Sequence, residues 1–201
     1  MKFENLYKHI QKENGIFFEA GANDGVEQSY TYPLERDYGW SGVLVEPSTA
    51  AFTKCTQNRP KSICINTALT DNPNVTELTG DFDGHLMSSV NGTRLGRGPS
   101  IKVSATTLTN IFDIHFANKQ VDLMSIDVEN YELQVLQGLD FKKYQPLYIL
   151  AEIYTSSFND VNLFLNQNGY SLLVNVTGYN HTDNPGWDGT HNDYLFKLNK
   201  I

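Results

Sequence analysis

The chain has 201 residues, of which 40% are hydrophobic, 12% aromatic and 19% charged. This composition excludes a disordered or low-complexity protein, and the length predicts one domain over residues 1–201. The 15 basic and 23 acidic side chains give a net charge of -8, so the chain has no excess of basic residues with which to hold a nucleic acid. Residues 1–15 mix charged and apolar side chains at helical spacing, which predicts neither a signal peptide nor a membrane anchor, and we expect a cytoplasmic protein.

Short apolar runs alternate along the chain with amphipathic stretches, which is typical of a parallel sheet with crossover helices. Strands are predicted over residues 16–19, 42–46, 62–66, 121–128, 147–153, 170–176 and 194–198. A leading helix ends before residue 14, and further helices are predicted over residues 29–38, 48–57, 108–118, 131–137 and 157–168. No helix separates the last two strands, which predicts an antiparallel end to an α/β sheet that carries helices on both faces.

An irregular stretch over residues 71–100 interrupts this alternation and is rich in Asn, Gly, Asp and Ser. We expect it to contain a hairpin that returns through residues 101–104. A second loop precedes the last strand and carries His181, Trp187 and His191. Long loops at one end of a sheet often decide which substrate is bound, and both are expected to cover the site.

A glycine-rich turn, EAGANDG, follows the first strand over residues 19–25. Glycines there let a ligand approach the backbone at the carboxyl edge of a parallel strand. The dinucleotide fingerprint would need glycine at the positions of Asn23 and Val26, so a nicotinamide cofactor is excluded. Glu19 and Asp24 would repel a pyrophosphate, but they suit a ligand that carries an ammonium and a sulfonium. S-adenosylmethionine (AdoMet) carries both groups.

Acidic residues also follow three later strands: Glu46 after the second, Asp127 and Glu129 after the fourth, and Glu152 at the end of the fifth. Carboxyl ends of parallel strands meet at one edge, where Glu46 could accept hydrogen bonds from both ribose hydroxyls of an adenosine. For Asp127 and Glu129 the alternative is a favourable place at the positive end of a helix. For Glu152 the alternative is an ordinary surface acid.

These segments resemble the FkbM-type class I methyltransferases. The blocks FFEAGANDG, SYTYPLERDYGWSGVLVEPS, NRPKSICINTALTD, VDLMSIDVENYELQVLQGLDF and LYILAEIY occur in the family's order over about residues 15–155. The resemblance implies a Rossmann-like sheet of seven strands that binds AdoMet and methylates a hydroxyl of a sugar, a glycan or a small natural product. One departure is Asn130, which stands where the family pattern Asp-Val-Glu-Gly-x-Glu has glycine. Asn tolerates a left-handed backbone, so we expect the turn to survive.

The resemblance also implies roles for individual residues. The cofactor site it implies consists of Gly21, Asn23 and Gly25 in the turn, Glu19 at the methionine end, Glu46 at the ribose, and Asp127 near the methyl or amino group. The carboxylate of Asp127 could in addition orient the hydroxyl that accepts the methyl group.

Methyl transfer to an unactivated hydroxyl needs in-line placement, exclusion of water and a base. The candidate bases are Asp127, Glu152 and His85, with His181 and His191 as further loop histidines. A divalent cation held by Asp127 and Glu152 is an alternative that we do not predict, because the sequence shows no third ligand in register.

Two other functions compete with a small-molecule methyltransferase. One is a module that binds the cofactor without turnover, which would be expected to lose the acids at Asp127, Glu129 and Glu152. The other is an RNA ribose 2′-O-methyltransferase, which would need a lysine where residues 152–155 read EIYT. We therefore expect a small-molecule or glycan acceptor and no nucleic-acid or membrane partner. A second copy of the chain could complete the pocket as a homodimer.

Overall fold

The structure is a computed structural model that describes residues 2–83, 87–90, 92, 96, 98 and 100–199. Its elements, in chain order, are α1 (Phe3–Ile10), β1 (Ile16–Ala20), α2 (Thr31–Tyr38), β2 (Ser41–Val45), α3 (Thr49–Asn58), β3 (Ile63–Ile65), β4 (Ala68–Leu69), β5 (Glu77–Gly80), β6 (Ile101–Thr106), α4 (Leu108–His115), β7 (Leu123–Ile126), α5 (Glu132–Gln137), β8 (Tyr148–Tyr154), α6 (Phe158–Gln167), β9 (Tyr170–Asn175) and β10 (His191–Leu198).

Seven strands form the main sheet in the order β3-β2-β1-β7-β8-β10-β9. The first five of these strands are parallel, and β10 runs antiparallel to both β8 and β9. The predicted α/β class, with its mostly parallel seven-stranded sheet and antiparallel end, is confirmed.

Helices cover both faces of this sheet because both faces of its central strands are apolar. Phe17 and Phe18 are consecutive in β1, so their side chains point to opposite faces. Phe17 packs in the cluster that contains Leu34 and other side chains of α1, α2 and α3. Phe18 packs in the cluster that contains Phe112, Leu165 and other side chains of α4, α5 and α6.

The predicted elements form with ends that differ by a few residues. Strand β7 is shorter than predicted because its partner β1 ends at Ala20, whose carbonyl accepts the last hydrogen bond of the pair from Asp127 N at 3.1 Å. Strand β10 is longer than predicted because it pairs with β8 as far as His191, which lies opposite Tyr154. The prediction that His191 lies in a loop is therefore wrong.

The stretch before α4 forms a second sheet with the strand order β4-β6-β5. The expected hairpin is confirmed, since β5 and β6 pair antiparallel from Glu77 opposite Ser104 to Gly80 opposite Ile101. The parallel pairing of β4 with β6 was not predicted, because a strand of two residues has no period to recognise.

No helix within the described residues is long and apolar enough to cross a bilayer.

Candidate active site

A large cleft opens at the carboxyl edge of β1, β2, β7 and β8. Its described lining carries many acids and no lysine or arginine, and His191 is the only histidine in it. The acidic side chains that line it are Glu19, Glu27, Glu46, Asp127, Glu129, Glu152, Asp188 and Asp193. The fold thus brings the predicted residues Glu19, Gly21, Asn23, Glu46, Asp127 and Glu152 to one cleft.

The turn after β1 is left-handed at Gly21, Asn23 and Gly25, with φ of 77°, 47° and 80°. A Cβ atom on Gly21 would lie 1.6 Å from the backbone oxygen of Asp127, so glycine is required there by the neighbouring strand as well as by any ligand. Gly21 N and Ala22 N donate to the carbonyl of Val45 at 3.0 and 3.1 Å. These two bonds tie the turn to the end of β2.

Gly25 lies at the far end of the turn and is not among the described residues that line the cleft. A Cβ atom there would lie 2.7 Å from Arg59 Cγ and 3.0 Å from Cys55 Sγ. The glycine therefore makes room for α3 and the residue that follows it. Its contribution to a cofactor site is to let the turn pack against that helix.

Glu46 directly follows β2 and is held by two backbone amides. Its Oε2 accepts from Asn23 N at 2.8 Å and its Oε1 accepts from Ser48 N at 2.8 Å. Burial raises the pKa of Glu46 to about 7, although the two amide hydrogen bonds oppose this rise. A carboxylate has about four acceptor sites, so each oxygen can still accept from a ligand hydroxyl.

Glu19 is the next-to-last residue of β1 and is buried, and donors surround one of its carboxylate oxygens. Oε2 accepts from Ser29 Oγ at 2.9 Å and from Thr31 Oγ1 at 2.5 Å, and it lies 3.8 Å from Arg59 Nη1. Both of these hydrogen bonds go to Oε2, and Glu19 lines the cleft. Its carboxylate can therefore meet a cationic ligand there.

Three acids form the other end of the cleft. Carboxylate oxygens of Asp127, Glu129 and Glu152 lie within 4.8 Å of one another. This spacing could hold a divalent cation, for which Glu129 would be the third ligand that the sequence did not show in register. Tyr154 Oη donates to Glu129 Oε2 at 2.6 Å.

The turn after β7 brings these acids together. Glu129 and Asn130 have φ of 55° and 71°, so Asn130 adopts the left-handed backbone expected of a substitute for glycine. Glu132 is buried, and its Oε1 accepts from the backbone nitrogens of Val128 and Asn130, each at 3.1 Å. Sequence reasoning missed this role of Glu132, for which the signal was an acid at the last position of the family pattern.

The crowding of these acids shifts their protonation. Burial, and then the charges of Asp127 and Glu129, raise the pKa of Glu152 to about 11. Burial and the charge of Glu129 likewise raise the pKa of Asp127 well above its ordinary value. The Glu152 side chain is 11% exposed, and its Oε1 is buried without a hydrogen-bond partner among the described residues. With no cation beside them, both shifts favour the protonated form of these carboxyls.

Strand β10 adds Asp193, which the sequence did not assign to the site, and brings the predicted candidate base His191 to it. Asp193 lies opposite Glu152 in the strand register and accepts from Tyr30 Oη at 2.7 Å. His191 Nε2 lies 3.4 Å from Glu152 Oε2, and its Nδ1 lies 2.7 Å from Thr190 Oγ1. His191 and Asp193 are two residues apart on one strand, so their side chains point to the same face of the sheet. This spacing was the signal from which the sequence could have assigned Asp193 to the site.

Two further histidines were predicted as candidate bases, and the structure describes one of them. His85 lies outside the described residues. His181 packs against Trp187 with ring centroids 5.1 Å apart and is not among the described residues of the cleft lining.

Comparisons with known proteins agree with this architecture. A family model described as the methyltransferase FkbM domain matches residues 19–172. No curated protein gives a significant match.

Several solved structures share the fold at low sequence identity. A TehB-like SAM-dependent methyltransferase from Corynebacterium glutamicum has a TM-score of 0.54 and 8% identity, and the match covers 98% of this chain and 87% of that one. A SAM-dependent methyltransferase from Thiobacillus denitrificans, in complex with S-adenosyl-L-homocysteine, has a TM-score of 0.54 and 9% identity over 98% of this chain and 91% of that one. Aeropyrum pernix fibrillarin, with natively bound S-adenosyl-L-methionine, has a TM-score of 0.56 and 11% identity over 93% of this chain and 68% of that one. These likenesses establish a class I, Rossmann-like methyltransferase fold.

Proposed function

The chain belongs to the FkbM methyltransferase family, and on that premise we propose that it binds AdoMet in the cleft and methylates a hydroxyl of a sugar, a glycan or a small natural product. The solved methyltransferase from Thiobacillus denitrificans holds S-adenosyl-L-homocysteine, and Aeropyrum pernix fibrillarin holds S-adenosyl-L-methionine. AdoMet supplies an electrophilic methyl group on a sulfonium. The residues of this chain bind the cofactor and the acceptor, orient them toward each other, and take up the proton that the acceptor hydroxyl releases.

The observation that carries the proposal is the placement of Glu46 between two backbone amides at the edge of the cleft. Asn23 N and Ser48 N each donate to one of its oxygens, so the carboxylate is held in one orientation before any ligand arrives. A fixed carboxylate at the end of the second strand matches the ribose-binding position of doubly wound folds. Glu19, at the end of the adjacent strand, can meet the positive charge at the other end of the cofactor.

The acidic end of the cleft supports the methyl-transfer step. In the empty cleft, burial and mutual repulsion raise the pKa values of Asp127 and Glu152, which favours their protonated forms. A sulfonium bound beside them lowers their pKa values, because an opposite charge at a few ångströms favours the ionised form. An ionised carboxylate can then take the proton of an acceptor hydroxyl while the hydroxyl oxygen attacks the methyl carbon of AdoMet and S-adenosylhomocysteine leaves. Cofactor binding would in this way switch the base on.

The charge of the lining supports a small acceptor over RNA. No lysine or arginine lines the cleft among the described residues, and the chain carries a net charge of -8. A phosphate backbone would meet repulsion at Glu129 and Asp193, with no counterion release to offset it.

Calorimetric titration with AdoMet and S-adenosylhomocysteine (AdoHcy) tests the cofactor half of the proposal. We expect both ligands to bind the unaltered protein and Glu46→Gln to weaken both by at least about tenfold, because a charge-assisted hydrogen bond to ribose is lost. The control is Glu77→Gln, since Glu77 is exposed, pairs with Lys102 on the surface and is not among the described residues of the cleft lining. Absence of heat with unaltered, folded protein would contradict the proposal.

Transfer of labelled methyl from AdoMet to a panel of hydroxylated sugars and natural products tests the acceptor half. We expect Asp127→Asn to bind AdoHcy within a few-fold of the unaltered protein and to lose transfer by about 10²–10⁴-fold, the usual contribution of a positioned base. Binding without transfer to any member of the panel would favour a non-catalytic module. Transfer to RNA instead would overturn the small-molecule assignment.

A further inference from the structure

Arg59 directly follows α3, and its side chain is completely buried. Its Nε and Nη2 contact Glu35 Oε2 at 3.0 and 2.9 Å. Nη1 donates to the carbonyl of Gly25 at 2.8 Å, and Nη2 donates to Thr31 Oγ1 at 3.1 Å. Nη1 also lies 3.8 Å from Glu19 Oε2. One guanidinium therefore joins β1, the cofactor turn and α2.

A buried cation is costly unless its donors are engaged, and well-packed apolar residues would give equal or greater stability in the same space. The planar fork of arginine can address several acceptors at fixed angles, which a lysine cannot do. We take these contacts to mean that Arg59 is retained for what it holds in place.

Of the groups that Arg59 contacts, Glu19 lines the cleft, and Gly25 ends the turn whose residues Gly21 and Asn23 line it. Arg59 itself is not among the described residues of the lining. We propose that Arg59 is a positioning residue, which aligns Glu19 and the turn so that they bind the cationic amino-acid end of AdoMet. This inference rests on the function proposed above.

The charge of Arg59 also acts on Glu19. Burial raises the pKa of Glu19, and the guanidinium and the hydroxyls of Thr31 and Ser29 oppose that rise. The guanidinium therefore favours the ionised form of Glu19, which is the form that attracts an ammonium or a sulfonium. Loss of Arg59 should thus affect one end of the cofactor and spare the adenosine end, which depends on Glu46.

Two ligands separate these ends. AdoHcy carries the amino-acid chain, whereas 5′-methylthioadenosine has the same nucleoside without it. We expect Arg59→Lys to lower the affinity for AdoHcy by about tenfold, which corresponds to the loss of one charge-assisted hydrogen bond. The affinity for 5′-methylthioadenosine should stay within about twofold of that of the unaltered protein. The matched control is Arg36→Lys, because Arg36 is exposed and pairs with its neighbour Asp37. Neither ligand should bind the control differently from the unaltered protein.

An equal loss for both ligands would overturn the inference, since it would mean general damage to the turn, and so would unchanged binding of AdoHcy. Should Arg59→Lys fail to fold, Thr31→Val carries the test, because it removes a hydroxyl that contacts both Arg59 and Glu19 at almost constant volume. Its expected effect is a loss of about threefold for AdoHcy alone. Failure of the unaltered protein to bind AdoHcy would instead refute the proposed function and this inference with it.

Discussion

Acidic residues form both ends of the cleft, but the groups that surround these carboxylates differ between the two ends. At the cofactor end, Glu46 is held by two backbone amides and Glu19 by two hydroxyls and a guanidinium. At the other end, which we propose to be the acceptor end, carboxylate oxygens of Asp127, Glu129 and Glu152 lie within 4.8 Å of one another, and His191 is the one basic group near Glu152 in the described lining.

This difference shows how neighbouring carboxylates can serve binding or proton transfer. An acid with its hydrogen bonds satisfied keeps one orientation, which suits recognition of a fixed hydroxyl or charge. Acids crowded against one another have raised pKa values, and a neighbouring cation lowers them, which suits a base that becomes ionised when the cofactor binds. The sequence assigns acids to both ends, and their surroundings separate the roles.

The largest effect is expected where the two ends touch. Gly21→Ala places a Cβ atom against the backbone oxygen of Asp127 and leaves a side chain at positive φ. We expect a loss of about 4 kcal/mol in the free energy of unfolding, from strain and overpacking together, measured by urea denaturation. The matched control is Gly178→Ala, which has φ of +58° and no atom within 4 Å of the new Cβ, and should lose only about 1 kcal/mol. Equal losses in the two variants would show that the contact with Asp127 is not tight.

A smaller effect is expected from replacing one of the crowded carboxyls by an amide, which cannot ionise. The pKa of Glu152 is raised to about 11, whereas an unfolded glutamate titrates near 4.3. Above that value the folded protein binds more protons than the unfolded chain, so this residue's contribution to stability declines as the pH rises. We expect Glu152→Gln to stabilise the protein by about 2 kcal/mol at about pH 8 and by clearly less at about pH 5.

Thermal unfolding at the two pH values measures this difference. Glu77→Gln is the control and should show no such dependence, because Glu77 is an exposed surface acid. A gain that is the same at both pH values would mean that Glu152 is not crowded by its neighbours.

The smallest effect concerns the turn that carries the crowded acids. Asn130 has a φ of 71°, so Asn130→Ala should cost about 1 kcal/mol of left-handed strain. Asn130→Gly should lie within about 0.5 kcal/mol of the unaltered protein, because relief of strain and added chain entropy nearly cancel. Chemical denaturation gives both values, and an alanine variant as stable as the asparagine protein would contradict the reasoning.

Much of the fold could be predicted because apolar runs of buried parallel strands and their crossover helices leave a clear period. The carboxyl-edge acids Glu19, Glu46, Asp127 and Glu152 followed from that order, since each stands at or just after a strand end. The partners of these acids could not be predicted, because Arg59 and Asp193 reach the site from distant parts of the chain through tertiary packing. The crowding of Glu129 with Glu152 depends on a left-handed turn whose geometry no spacing reveals.

The contact between Gly21 and Asp127 also bears on how ligands reach the cleft. The first turn and the end of β7 meet backbone to backbone, with no space for a side chain between them. We therefore do not expect the cleft to open by separation of these two backbone segments. Release of AdoHcy and entry of AdoMet would instead involve the side walls of the cleft. Met87, Val90 and Asp188 line these walls and lie on segments outside the seven-stranded sheet.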